Sequence, residues 1–273
     1  MVSLRAAALQ LSCQEDVEEN LRACREQVGR AADRGAKLVL LPENFAFMGP
    51  ETQKRGIAET LGDPDAPIQR SVAAMARDYA VTLVAGGLPE RSGDDLRPYN
   101  TACVFGPDGG LAASYRKIHL FDVELSDGTS LCESEATSPG EATVVVDIGG
   151  MNVGLSICYD LRFPELYRSL VDRGADVLLV PAAFTLQTGK DHWHVLLRAR
   201  AIEAQCWVVA AAQWGKHPKG RLTYGHALIA DPWGTVVAEC SDGVGAAVAD
   251  LDSELVARVR GSVPSLRHRR IGR

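Results

Sequence analysis

Residues 37–43, KLVLLPE, carry an unbroken apolar run closed at both ends by a charge. A strand with one wet face alternates apolar and polar residues, so a run like this fits a strand buried on both faces. That demands cover on each side, and the chain supplies it. LRAAALQL (4–11) reads as a first strand; Val17, Leu21, Cys24, Val28 and Ala31 then repeat at helical spacing, from start signals at Ser12 and Asp16 to a cap at Gly35. Further on, IQRSVAAMARDYA (68–80) reads as a helix and VTLVAGG (81–87) as a strand.

Two hairpins follow. TACVFGPDGGLAASYRK (101–117) turns at Pro107–Gly110, and EATVVVDIGGMNVGLSICYD (141–160) turns at Gly149-Gly150. Pro164 opens a helix that runs to a cap at Gly174. The rest alternates again: strand DVLLVPAA (176–183), helix DHWHVLLRARAIEAQ (191–205), strand CWVVAAAQ (206–213), strands GHALIADP (225–232) and TVVAEC (235–240), and a short helix near 253–261. No linker or repeat divides the chain, so the expectation is one α/β domain spanning 1–273, with a mixed sheet and helices outside it.

The balance of 46% apolar and 23% charged residues supports a core, and the net charge of -6 argues against nucleic acid as a partner. Seven cysteines without a Cys-x-x-Cys pair make neither a disulfide framework nor a zinc site, which points to a reducing, cytoplasmic setting. The first twenty residues fit no secretory signal, and no stretch reaches the roughly 18 apolar residues of a membrane span.

Three strand ends carry residues with chemistry. Cys158 lies where a strand gives way to a helix, a turn that exposes a side chain and aims backbone N–H groups at it. By residue type alone it is more readily a buried core cysteine, since free cysteines are usually buried. Glu43 ends KLVLLPE, and a carboxylate there needs a partner or a task. Lys117 ends the strand containing Tyr115, where a plain solvated lysine is the alternative. Strand ends of an α/β sheet converge on one crevice, so Glu43, Lys117 and Cys158 can meet there. His192 and His194 flank Trp193, and their i, i+2 spacing on a helix argues against a metal pair. Arg162 and Glu165 in DLRFPE read as an ion pair, the alternative being Arg162 on a substrate carboxylate.

LLPENFAF, YRKIHLFD and ICYDLRFPELYR, in this order, resemble the three signature blocks of the nitrilase superfamily of carbon–nitrogen hydrolases. LCESEATSPG resembles the stretch that holds a second glutamate, which falls on Glu133. HWHVLLRARAIEAQC, YGH and RHRR are similar to the Nit branch, with departures at Cys132 and Ala227.

The resemblance implies a four-layer α-β-β-α sandwich. It also implies a Glu43-Lys117-Cys158 triad assisted by Glu133, a thioester intermediate, and no metal or organic cofactor. Its substrate would be a small carboxylated amide, deaminated glutathione first, with ω-amidase, nitrilase or carbamoyl-amide activity as neighbouring readings and a Cys-His hydrolase using His119 or His226 as a different class. Tyr159 (through its backbone N–H), Arg162, Phe184 and Lys190 are the expected substrate contacts, Lys190 from the loop TLQTGKDHW. A homodimer is implied too, paired across 164–173 and 192–205 with 262–273 reaching the partner.

Overall fold

The computed structural model of the chain describes residues 2–124 and 130–271. In chain order the elements are β1 (Ser3–Leu11), α1 (Val17–Asp33), β2 (Leu38–Leu40), α2 (Pro67–Asp78), β3 (Thr82–Glu90), β4 (Tyr99–Phe105), β5 (Leu111–Arg116), β6 (Asp122–Glu124) and β7 (Ser130–Cys132). Then come β8 (Val145–Ile148), β9 (Met151–Leu155), α3 (Pro164–Asp172), β10 (Val177–Leu179), α4 (Leu186–Ala204), β11 (Trp207–Ala210) and β12 (Ala212–Lys216). The chain closes with β13 (Leu222–Tyr224), β14 (Leu228–Ala230), β15 (Val236–Glu239), β16 (Gly245–Asp252) and α5 (Ser253–Ser262).

One sheet runs β13-β12-β1-β2-β3-β4-β5, with β16 paired antiparallel to β1; a second runs β15-β14-β11-β10-β9-β8. The period of two in the strands sorts the side chains into layers. Ala6, Ala8, Leu38, Leu40 and Val84 share one core with Val153, Leu155, Val177 and Leu179 of the second sheet, and with Leu170 of α3 and Trp193 and Leu197 of α4. Their neighbours Ala7, Leu9, Val39, Leu41 and Leu83 turn the other way, against Cys24 and Val28 of α1 and Val72 and Met75 of α2. The order is therefore helix, sheet, sheet, helix: a four-layer α-β-β-α sandwich. The apolar run at 38–41 is continuous because β2 is covered on both faces.

Strand direction places the site. β1, β2 and β3 run parallel, β4 reverses and β5 reverses again, so β2 and β5 end at the same edge. β9 and β10 of the facing sheet are parallel to each other. Glu43 follows β2, Lys117 follows β5 and Cys158 follows β9.

Several boundaries differ from the sequence reading. β2 stops at Leu40, so Glu43 lies three residues past the strand instead of ending it. The stretch 206–213, read as one strand, is cut at Ala211: β11 belongs to the second sheet and β12 to the first, so this segment crosses between them. Helix α4 begins at Leu186, not Asp191, because Thr185 caps it by accepting from the Thr188 amide at 3.3 Å. Gly189, a loop signal in sequence, sits inside that helix, where a Cβ would lie 2.2 Å from Tyr224 Cβ. β16 escaped notice because its small alanines give a weak apolar alternation, yet it pairs with β1 from Ser3↔Asp252 to Gln10↔Gly245. Beyond α5 the tail, described as far as Ile271, lies against its own chain: Arg269 pairs with Asp172 of α3, and the Gln205 amide donates to the Val263 carbonyl.

Candidate active site

Lys117 is the centre of a buried polar cluster. Its backbone extends the ladder past β5, the amide donating to Asn100 O at 2.8 Å, so the side chain starts from a fixed base. Its Nζ lies 2.9 Å from Glu43 Oε1, and 2.9 and 2.7 Å from the two oxygens of Glu133. Asn100 Nδ2 donates to Glu43 at 3.0 Å, and the Phe121 amide donates to Glu133 at 2.7 Å. Lys117 is 2% exposed, Glu43 3% and Glu133 7%. One ammonium between two carboxylates, with amide donors filling further lone pairs, is what lets such charges remain buried.

The glycine pair Gly86-Gly87 makes room for this cluster. A Cβ on Gly86 would lie 2.2 Å from Leu41 O, and one on Gly87 would lie 2.7 Å from Asn100 Oδ1; Gly87 also has φ of +116°. Any larger residue would push the Glu43 loop and Asn100 apart.

Cys158 sits on a strained turn. Its φ is +49°, in the left-handed region that side chains other than glycine disfavour. The conformation is held from several sides. Its amide donates to Pro181 O at 2.9 Å, tying the turn to the end of β10. Asp160, fully buried, accepts from the Ile157 amide at 2.8 Å, the Tyr115 hydroxyl at 2.7 Å and the His119 amide at 3.1 Å, and meets His119 Nδ1 at 2.7 Å. This carboxylate clamps the Cys158 turn to the segment that carries Lys117. Arg200 of α4 completes the support, its guanidinium on Leu161 O at 2.7 and 3.1 Å. Neither Asp160, Asn100 nor Arg200 stood out in sequence, where each is an ordinary polar residue among others. Asp160 lies within the ICYDLRF block, the one available signal.

Charge states follow from this packing. Burial alone would raise the Glu43 carboxyl, but Lys117 and Lys54 overcome it, and hydrogen bonds from Lys117 and the Cys158 thiol help hold it down at about 2. Burial would depress the Lys117 ammonium, but Glu133 and Glu43 more than offset it and keep its pKa well above the usual lysine value. Burial, reinforced by the Glu43 charge, pushes the Cys158 thiol well above its usual value, against Lys117 and the Ala183 amide. The resting pair is thus a thiol beside an ionised carboxylate, the arrangement of a nucleophile and its general base. The helix itself begins only at Pro164, after a 3-10 turn over Cys158–Arg162.

Cys158 borders two small pockets. One is lined by Glu43, Lys117, Glu133, Glu51, Lys54 and Arg221; the other by Phe121, Tyr159, Arg162, Phe184, Thr185 and Thr188. The first shares Glu51, Leu131 and Arg221 with an outer cavity of about 650 Å³. The expected contacts divide accordingly: Tyr159, Arg162 and Phe184 lie at the inner pocket, whereas Lys190 lines the outer cavity from the first turns of α4 and not from a loop. Arg162 does not pair with Glu165. Its guanidinium stands over the Phe184 ring at 5.3 Å, with Nη1 3.3 Å from His192 Nδ1.

Glu43 lines a pocket beside Cys158, and neither His119 nor His226 lines either of its pockets. His119 is stacked on Phe163 at 3.7 Å, and His226 meets Glu239 at 3.0 Å. Among the described residues His194, His226 and Glu239 bring ligand atoms within 4.8 Å of one another, the one such grouping that could hold a metal; none of the three lines the cavities around Cys158.

Comparison with known proteins places the chain in a family. Residues 5–261 match the carbon-nitrogen hydrolase family. A deaminated glutathione amidase of a Synechocystis strain is 47% identical over 268 residues, 97% of either chain. The Caenorhabditis elegans NitFhit protein superposes with a TM-score of 0.91 at 40% identity over 99% of this chain, which spans 66% of that longer protein. Saccharomyces cerevisiae Nit3, a member of branch 10 of the nitrilase superfamily, gives a TM-score of 0.88 at 32% identity, with 96% of this chain and 95% of Nit3 aligned.

Proposed function

The chain belongs to the carbon-nitrogen hydrolase family and is an amidase-type hydrolase of C–N bonds; from that premise we propose that it converts deaminated glutathione to 2-oxoglutarate and cysteinylglycine, with Cys158, Glu43 and Lys117 as catalytic residues and Glu133 as their support. One observation carries the assignment of roles. Lys117 Nζ is held 2.9 Å from Glu43 and 2.7 Å from Glu133, and Cys158 lines the same small pocket as all three.

In this mechanism Glu43 takes the Cys158 proton as the sulfur attacks the amide carbonyl. The charge that develops on oxygen is met by Lys117 and by the Tyr159 N–H, which has no backbone acceptor among the described residues. One such donor is worth about 3–4 kcal/mol in the barrier. The C–N bond breaks as Glu43 returns its proton to the departing nitrogen, leaving a thioester. Water then adds, Glu43 takes its proton, and the C–S bond breaks to release the acid and restore the thiol. Glu133 keeps Lys117 charged and aimed. Each step uses this chain's residues and water alone.

The substrate reading rests on the similarity to deaminated glutathione amidases and on cations at the cavities, Arg162 on one side and Lys190 on the other. The whole of 1–273 is read as one catalytic domain. A cytoplasmic setting fits seven free cysteines, six of them buried. A homodimer fits the apolar residues that α4 leaves outward, Val195 and Ile202, at 66% and 52% exposed; light scattering at micromolar concentration reads it directly.

The decisive assay compares substrates. Deaminated glutathione should exceed uncharged aliphatic amides and nitriles by at least about tenfold in kcat/KM, and Cys158→Ala should lose turnover while keeping the fold. Wild-type protein quenched during turnover should carry the acyl mass on the peptide containing Cys158. Faster hydrolysis of neutral amides or nitriles would overturn the substrate; substantial activity in Cys158→Ala would overturn the nucleophile.

A further inference from the structure

Glu43 fixes the direction in which the leaving group departs. The residue that protonates the departing nitrogen must face it, and Glu43 lines the pocket that opens past Glu51 and Arg221 into the outer cavity. The oxyanion points toward Lys117. The acyl chain, as the third substituent on the carbonyl carbon, is left with the other pocket beside Cys158, the one holding Arg162.

The outer cavity is therefore on the amine side, and its wall has a marked charge. Lys190, Lys219 and Arg221 line it against one acid, Glu51. Glu51 is already engaged, by Lys54 at 2.5 Å and by Arg221 at 3.2 Å. Among the described residues neither Lys190 nor Lys219 has an acidic partner, and both are exposed to the cavity mouth. Arg221 has its Nε buried without a hydrogen bond. A wall with surplus positive charge, in a protein of net charge -6, is a wall for an anion.

Building on the substrate reading above, we propose that this cavity is a leaving-group subsite, in which Lys190, Lys219 and Arg221 bind the terminal carboxylate of the dipeptide released as the amine product. Arg162, across Cys158, takes the acid end of the acyl group. The dimensions suit this, since a dipeptide extends about 7 Å from its nitrogen to its terminal carboxyl and the cavity holds about 650 Å³. The consequence is a preference for amides with a carboxylate at both ends over amides that release ammonia or a neutral amine.

The test uses two substrates with the same acyl group and the same dipeptide: deaminated glutathione and its C-terminal carboxamide. Wild-type enzyme should show a KM for the carboxamide about tenfold higher than for the carboxylate, with similar kcat. In the Lys190→Ala/Lys219→Ala double variant that ratio should fall to about one. Both lysines are exposed, so the variant is expected to fold, and its circular dichroism and melting curve check that it does. Equal KM values in wild-type enzyme, or an unaltered ratio in the double variant, would overturn the subsite and leave the substrate reading standing. Turnover of neither compound would overturn the reading and the subsite together.

Discussion

Lys117 and Lys190 line adjoining cavities under opposite conditions. Lys117 is 2% exposed and touches two carboxylates. Lys190 is exposed at the cavity mouth, without an acidic partner among the described residues. A charge taken out of water must be neutralised by groups fixed in place, and once so fixed it is pre-organised for a transition state. A charge left in water needs no partner, so it remains available to a ligand's charge at the cost of much weaker binding. In the function proposed above, the inner cluster serves chemistry and the rim recognition.

The largest effect that separates the two regions is on stability. Lys117→Ala would leave Glu43 and Glu133 buried with their shared cation gone. It should cost about 3–5 kcal/mol in urea unfolding at neutral pH and lower kcat by about 100-fold or more. Lys190→Ala should stay within about 0.5 kcal/mol of wild type. Equal melting temperatures for the two variants would dissolve the distinction.

Next comes pH. Glu43 is held at about 2 in the folded protein against an ordinary value of 4.5. A depressed carboxyl stabilises the fold above its unfolded pKa and loses that contribution as pH falls through the folded one, here between about 4.5 and 2. Glu43→Gln has no such titration. The stability gap between wild type and Glu43→Gln should be constant from pH 7 to about 5 and shrink progressively toward pH 2. A gap already shrinking between pH 7 and 6 would mean that Glu43 titrates near its task and is not locked as an anion. Activity has its own sign: Glu43 remains an ionised base across that upper range, so protonation of this residue should not limit kcat/KM above pH 5.

How much of this was legible in the sequence differs between the same two regions. The layers were legible at KLVLLP, where a continuous apolar run demanded cover on both faces, and at the hairpin turns, where Gly149 and Gly150 take φ of +62° and +85°. Glu43, Lys117, Glu133 and Cys158 could be singled out through the long signature blocks around them, and the structure brings the four to one pocket. Their supports could not be. Asp160, Asn100 and Arg200 work by meeting groups 39 or more positions away, a property that local pattern does not encode. The rim was misread at α4, where Thr and Gly are signals for a loop. The structure turns Thr185 into a cap and uses Gly189 to admit Tyr224, which moved Lys190 onto a helix. Lys219 and Arg221 gave no signal at all, being two more basic residues in a chain that has 29.

The smallest effect is also the most selective, and it concerns salt. The Debye length falls from about 10 Å at 0.1 M to about 3 Å at 1 M, so exposed charges lose most of their mutual attraction over that range while buried pairs lose little. The lysines of the rim face water and the ammonium of Lys117 does not. Raising ionic strength from about 0.02 to about 0.5 M should therefore raise the wild-type KM for deaminated glutathione several-fold with little change in kcat. The Lys190→Ala/Lys219→Ala variant should show a much flatter response, because the charges that salt would screen are gone. The inner cluster predicts where salt does not act: the rate of acylation at saturating substrate should barely move, since in the proposed mechanism the groups that meet the reacting atoms, Lys117 and Glu43, are buried away from bulk ions. A fall in kcat with salt that equals the rise in KM would place mobile ions at the reacting centre and erase the difference between the two lysines.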